Sequence, residues 1–187
     1  MSEFDPRDPA QVEAFWRRHA PQVLRWVIRL GGPHIDAEDV AQDVLVTALR
    51  KMNSFRGESA IRTWLYGVTR RVVANARRRA AFRRFVGLGD IPEPPDLRDL
   101  SDTEVERLRK RRGVQRALER LKFGQREVLV LVDLEGRSAP EAAGMLDIPV
   151  GTVYSRLHNA RKQMAVALKA EGITAPPRLV AIEGGKA

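Results

Sequence analysis

Two amphipathic helical patterns parted by Pro149 constrain this chain more tightly than any other feature. Ser138, Pro140 and Glu141 form a helix start: a hydroxyl cap, a proline in the first turn and a carboxylate three residues past the cap. Ala142, Ala143, Met145 and Leu146 fill the short helix that follows. Asp147-Ile148-Pro149-Val150-Gly151 then interrupts it, because Pro149 lacks an amide proton and disfavours helical geometry in the residue before it. A second helix is predicted from Val150 to Leu168, with Val153, Leu157, Ala160, Met164 and Leu168 along one face. Its opposite face carries Ser155, His158, Asn159 and Lys162, flanked by Tyr154, Arg156 and Arg161. This is a helix-turn-helix pattern whose second helix suits a DNA groove, with a merely solvated charged face as the alternative.

Charge favours the first reading. A formal net charge of +9 across 187 residues points toward a polyanionic partner. The charge is also segregated: eight arginines and no acid lie between Arg62 and Arg84, whereas Asp90 to Glu106 holds seven acids against the single Arg98. There are no cysteines, which excludes disulfides and thiolate metal sites. His19, His34 and His158 stand in unrelated contexts, and no cofactor or metal is expected. No apolar run approaches the ~18 residues that span a bilayer, and Met1-Ser2-Glu3-Phe4-Asp5 is no signal peptide, so no membrane insertion and a cytoplasmic location are expected.

Helical signals recur along the whole chain. Asp8-Pro9-Ala10-Gln11 opens a helix with Val12, Phe15 and Trp16 on its apolar side, which Pro21 is expected to break or kink. A further helix with Val23, Leu24, Val27 and Ile28 ends at Gly31-Gly32. A third runs from about Asp36 to Met52, a loop spans Asn53 to Ala60, and a fourth helix continues to about Arg79. Between residues 86 and 102 the periodicity fails among Gly87, Gly89, Pro92, Pro94, Pro95 and several acids, as expected of an acidic flexible linker. Helical periodicity returns near Thr103 and resumes from Gln125 to Leu134, with Gly136 as a C-cap. The expected fold class is therefore all-α, with two small helical domains, 1–85 and 103–170, joined by that linker and followed by a loose tail over 171–187.

On the third helix, Ala41, Val44, Leu45, Ala48, Leu49 and Met52 share an arc, while Asp36, Asp39 and Asp43 lie opposite. Hard cations need further oxygen ligands that this stripe does not supply, which disfavours a metal site and a metal-dependent nuclease. A solvated face remains open. An acidic docking face for a basic partner, edged by exposed Val40 and Val46, is the favoured reading. On the fourth helix, Ile61, Trp64, Leu65, Val68, Val72 and Ala76 are expected to line the core. Arg62, Tyr66, Arg70 and Arg77 then form an outward ridge beside Gly67, able to contact phosphates and stack on an unpaired base. The alternative is that Tyr66 covers a neighbouring loop and the arginines only solubilise.

Three strings in the first half, Asp36-Ala37-Glu38-Asp39-Val40-Ala41-Gln42-Asp43, Phe55-Arg56-Gly57-Glu58-Ser59 and Arg62-Thr63-Trp64-Leu65-Tyr66, resemble the promoter-melting domain of extracytoplasmic-function (ECF) sigma factors. Gln125-Arg126-Glu127-Val128-Leu129, Asp133-Leu134-Glu135-Gly136 and Val150-Gly151-Thr152-Val153-Tyr154-Ser155-Arg156-Leu157-His158 are similar to the C-terminal domain of that family. The resemblance implies a non-enzymatic subunit that binds core RNA polymerase, directs it to promoter DNA and is often held by an anti-sigma factor. It implies polymerase binding by Asp36, Asp39, Gln42 and Asp43. It implies −10 recognition by Phe55, Arg56, Gly57, Glu58, Arg62, Tyr66, Arg70 and Arg77. For the −35 element it implies Thr152, Tyr154, Ser155, Arg156, His158, Asn159, Arg161 and Lys162. Tyr154 and Asn159 depart from a basic residue common in the family, so the upstream sequence cannot be carried over from a relative. A self-sufficient helix-turn-helix regulator with an N-terminal dimerisation or sensing module is the alternative, and it requires tight duplex binding without polymerase.

Overall fold

The computed structural model describes residues 8–52, 55, 60–88 and 101–180, and every regular element among them is helical. The chain divides into two compact units, Met1–Asp90 and Ile91–Ala187. The stretch 89–100, most of the expected linker, and residues 181–187 of the expected tail lie outside the described residues.

The N-terminal unit is a three-helix assembly of α1 (Pro9–Gly31), α2 (Ala37–Lys51) and α3 (Ile61–Phe85), each touching the other two. Asp8 caps α1 by accepting from the Ala10 amide at 2.9 Å, with Pro9 in the first turn. Pro21 does not break the helix, and α1 is continuous from Pro9 to Gly31. Pro21 is exposed, so the carbonyl it leaves without a donor lies on the wet side. On the opposite side Phe15, Val23, Trp26, Val27 and Leu30 are buried and hold both halves of the helix on its neighbours. Asp36 caps α2 through the Glu38 and Asp39 amides.

The C-terminal unit is built from α4 (Asp102–Glu119), α5 (Phe123–Leu129), α6 (Ala139–Leu146), α7 (Val150–Ala170) and a short α8 (Pro177–Val180). Capping boxes open α4 (Ser101 with Glu104) and α6 (Ser138 with Glu141), the latter as the sequence pattern predicts. The helix expected to run regularly to Leu134 instead changes to a π-helical turn over Val130–Leu134, and the Glu135 amide donates to the Val130 carbonyl. Gly136, at φ 68°, stops it. Residues 171–180, expected as tail, are seated on the unit. Glu171 accepts from Arg116 (2.8 Å) and Arg120 (3.3 Å), and Leu179 is buried. Ile173 lies so close to Gly113 of α4 that a Cβ there would come within 2.6 Å of its Cδ1. These contacts join residues far apart in the chain, which is why periodicity did not announce them.

Candidate functional site

The acidic stripe is present on α2. Asp36, Asp39, Gln42 and Asp43 are all exposed, and Val46 and Arg50 continue the same side. Two details differ from expectation. Val40 is buried rather than an exposed edge, because α2 meets both α1 and α3 and its apolar arc is correspondingly wide. Asp36 spends one carboxylate oxygen on the α2 amides, which leaves Asp39 and Asp43 as the free acids of the stripe. Among the described residues no group of three His, Cys, Asp or Glu stands close enough to hold a metal ion.

Beside the stripe lies a surface groove that residue-by-residue reading missed. Trp16, Ala20, Pro21 and Leu24 of α1 face Ala41 and Leu45 of α2 across about 400 Å³, with Glu38 and Gln42 on the rim. Its sequence signal is the spacing Trp16, Ala20, Leu24, one turn apart along α1. The result is an apolar trough edged by the Glu38 carboxylate and the Gln42 amide.

The α3 ridge requires correction. Tyr66, expected outside, is fully buried, and its ring meets Trp26 edge-on at 5.1 Å and 88°. Arg77 does not point to solvent; its Nη1 donates to the Leu30 and Gly31 carbonyls at 3.0 Å each and closes the C-terminus of α1. Arg62 is half-buried, donating to the Gln22 side chain at 3.2 Å with its guanidinium 5.9 Å from the Trp26 ring centroid. Arg70 is half-buried as well. The buried set is Leu65, Tyr66, Val68, Thr69, Val73, Ala76 and Ala80, whereas Ile61, Trp64 and Val72 are only half-buried. Contact with α1 and α2 together turns α3 toward Tyr66 and Val73, which a single-stripe wheel cannot register.

The outward face of α3 is therefore Arg71, Asn75, Arg78 and Arg79, with the Arg78 guanidinium donating to the Asn75 side chain. Beyond Ala80 the helix is exposed all round, including Arg83, Arg84, Phe82 and Phe85. A methyl group built at Gly67 meets no atom within 4 Å, so nothing inside the fold demands glycine there. Phe55 rests against Trp64, ring centroids 5.4 Å apart. Arg56, Gly57 and Glu58 lie outside the described residues.

On α7 the burial pattern follows the wheel. Val153, Leu157, Ala160, Met164 and Leu168 are buried, and Tyr154, Ser155, His158, Asn159 and Lys162 are exposed. Thr152 is half-buried. So is Arg156, whose guanidinium lies over Gly124. Arg161 is the exception: its Nε and Nη2 bond both Asp133 carboxylate oxygens, at 2.9 and 2.7 Å. The π-helical turn carries Asp133, only 8 % exposed, to that position. Arg161 thus ties the exposed helix to its support and is withdrawn from the outward face.

An exposed acidic helix in one unit and a supported helix-turn-helix in the other accord with the known proteins this chain is similar to. Residues 15–83 match the model of Sigma-70 region 2, and residues 111–164 match that of Sigma-70, region 4. The ECF RNA polymerase sigma factor SigM of Mycobacterium tuberculosis is 33% identical over 84% of this chain and 77% of its own length. SigL of the same organism, also an ECF RNA polymerase sigma factor, is 32% identical over 89% of this chain and 94% of its own length. Among solved structures, the sigma factor RpoE from Bartonella quintana, crystallised with the anti-sigma factor NepR, aligns with a TM-score of 0.63 at 25% identity, covering 84% of this chain and 96% of that one. The chain belongs to the ECF RNA polymerase sigma factors.

Proposed function

We propose that this sigma factor divides its work among three surfaces. Asp39 and Asp43, with Gln42 and the capping residue Asp36, dock on a basic helical element of core polymerase, and the Trp16–Leu24 groove beside them receives apolar side chains from the same element. The Phe55–Glu58 loop and the outer face of α3 engage the −10 region; there Arg71, Asn75, Arg78 and Arg79 take the place of Tyr66 and Arg77, which the fold employs internally. The exposed face of α7 reads the −35 element through Tyr154, Ser155, His158, Asn159 and Lys162.

In this reading residues 1–85 form the docking and melting module, 86–102 the connector and 103–170 the upstream reader. The subunit has no catalytic activity of its own and works in the cytoplasm, on the nucleoid when in holoenzyme. The relative crystallised with an anti-sigma factor supports a similar inhibitory partner here. The observation that carries the reading is the free carboxylate pair Asp39 and Asp43 on one unit, set against a recognition face on the other whose supporting contacts are already made.

Holoenzyme assembly tests it. Changing Asp39 and Asp43 together to alanine is expected to abolish binding to core polymerase while the circular dichroism spectrum and melt stay unchanged. Undiminished assembly would remove the docking assignment. Run-off transcription on a random promoter library then tests the two DNA surfaces, and tight duplex binding without polymerase would favour a self-sufficient regulator instead.

A further inference from the structure

One flank of α7 differs in chemistry from the rest of its exposed face. Val150 and Tyr154, one turn apart, are 42 % and 60 % exposed. Tyr154 has neither a hydrogen bond nor a ring contact among the described residues. Between them Gly151 is open, with no atom within 4 Å of where a Cβ would stand. One turn beyond Tyr154 the exposed His158 continues this flank, and the position after it is Arg161, whose guanidinium is held by Asp133. The polar residues Ser155, Asn159 and Lys162 occupy the centre and far side of the face. The first turn of the helix therefore offers DNA the Val150 side chain and the Tyr154 ring, with no basic residue between them.

The one apolar group that projects into the major groove is the C5-methyl of thymine; cytosine carries only a hydrogen at that position. A guanidinium on this flank would select guanine, whose two acceptors it matches. We infer that Val150 and Tyr154 select thymine in the upstream promoter element by covering its methyl group. The inference rests on α7 being the −35 reader and adds Val150, which sequence patterning did not single out, to the residues that set promoter choice.

The test uses holoenzyme assembled from the full chain and core polymerase. Its probe is an upstream duplex selected from a random library, with each upstream thymine replaced in turn by deoxyuridine, which removes the methyl alone. Wild type is expected to bind about fourfold more weakly at one or two of these positions, the equivalent of ~0.8 kcal/mol for one buried methyl-sized group. At those positions Tyr154→Ala or Val150→Ser should bind thymine and deoxyuridine duplexes equally well; Val150 is exposed in the first turn, where serine removes both methyl groups without a folding defect. Wild-type binding that ignores every methyl, or methyl dependence that survives both substitutions, would overturn the inference while leaving the −35 assignment standing. Selection that yields no upstream preference at all would overturn both.

Discussion

Helices α3 and α7 are both basic and both amphipathic, yet the same wheel projection places the surface of α7 correctly and that of α3 wrongly. α7 meets α4, α5, α6 and α8 through one narrow stripe, and apart from the half-buried Thr152, Arg156 and Arg161 its predicted reading residues stay outside. α3 lies against α1 and α2 with a wider buried arc, which takes in Tyr66 and Thr69 and draws Arg62 and Arg77 inward. The difference teaches that an arginine is a phosphate contact only if no carbonyl or carboxylate of its own fold reaches it first. Arg77 caps α1, Arg161 secures α7, and the arginines left to solvent on α3 are Arg71, Arg78, Arg79, Arg83 and Arg84.

The contrast breaks most visibly at the two tyrosines. Tyr66→Ala should destabilise the N-terminal unit by about 3–5 kcal/mol, since it empties a fully buried aromatic site. All three tryptophans, Trp16, Trp26 and Trp64, lie in that unit, so their fluorescence follows its unfolding in denaturant. Tyr154→Ala should stay within about 0.5 kcal/mol of wild type while shifting promoter choice. Equal stability losses in the two variants would erase the distinction.

Arg161→Ala should cost the C-terminal unit about 2 kcal/mol by leaving the mostly buried Asp133 without its two bonds. Much of that loss should return in the Arg161→Ala, Asp133→Ala double variant, and a thermodynamic cycle measures the coupling. A salt dependence of promoter binding reduced by one phosphate contact, with stability unchanged, would show Arg161 facing DNA after all. Arg77→Ala should cost the N-terminal unit about 1.5 kcal/mol through the lost α1 cap.

Gly67→Ala should stabilise the same unit by about 0.5–1 kcal/mol, because a methyl there meets open space and glycine weakens a helix interior. Should promoter opening fall in that variant despite the gain, the glycine serves close approach of DNA.

The smallest effect is a pH dependence confined to the C-terminal unit. A hydrogen bond from Arg116, reinforced by the charges of Arg116 and Arg120, holds the Glu171 carboxyl below its ordinary value of 4.5. A lowered folded value contributes stability above the unfolded value and loses it as pH falls through the lowered one. The thermal midpoint should accordingly drop on acidification below that ordinary value, and Glu171→Gln should flatten the drop. A midpoint equally acid-sensitive in the variant would detach the 171–180 segment from this role.

Much of the fold was readable from residues alone. The caps at Asp8, Asp36 and Ser138, the stop at Gly136, the Pro149 turn and the α7 core stripe are interactions spanning a few residues, and local chemistry specifies them. The acidic stripe on α2 was equally visible, whereas the groove beside it was not, because two helices must meet to form its walls.

The sequence by itself thus determined where most helices start, that there are two helical modules, and which family motifs they carry. Only the tertiary structure decided that α1 passes through Pro21, that a π-helical turn delivers Asp133, and which basic side chains stay free. The reason is range. Arg161 finds its partner 28 residues away, Arg77 finds Leu30 47 away and Arg116 finds Glu171 55 away, and no periodicity along the chain encodes such a meeting.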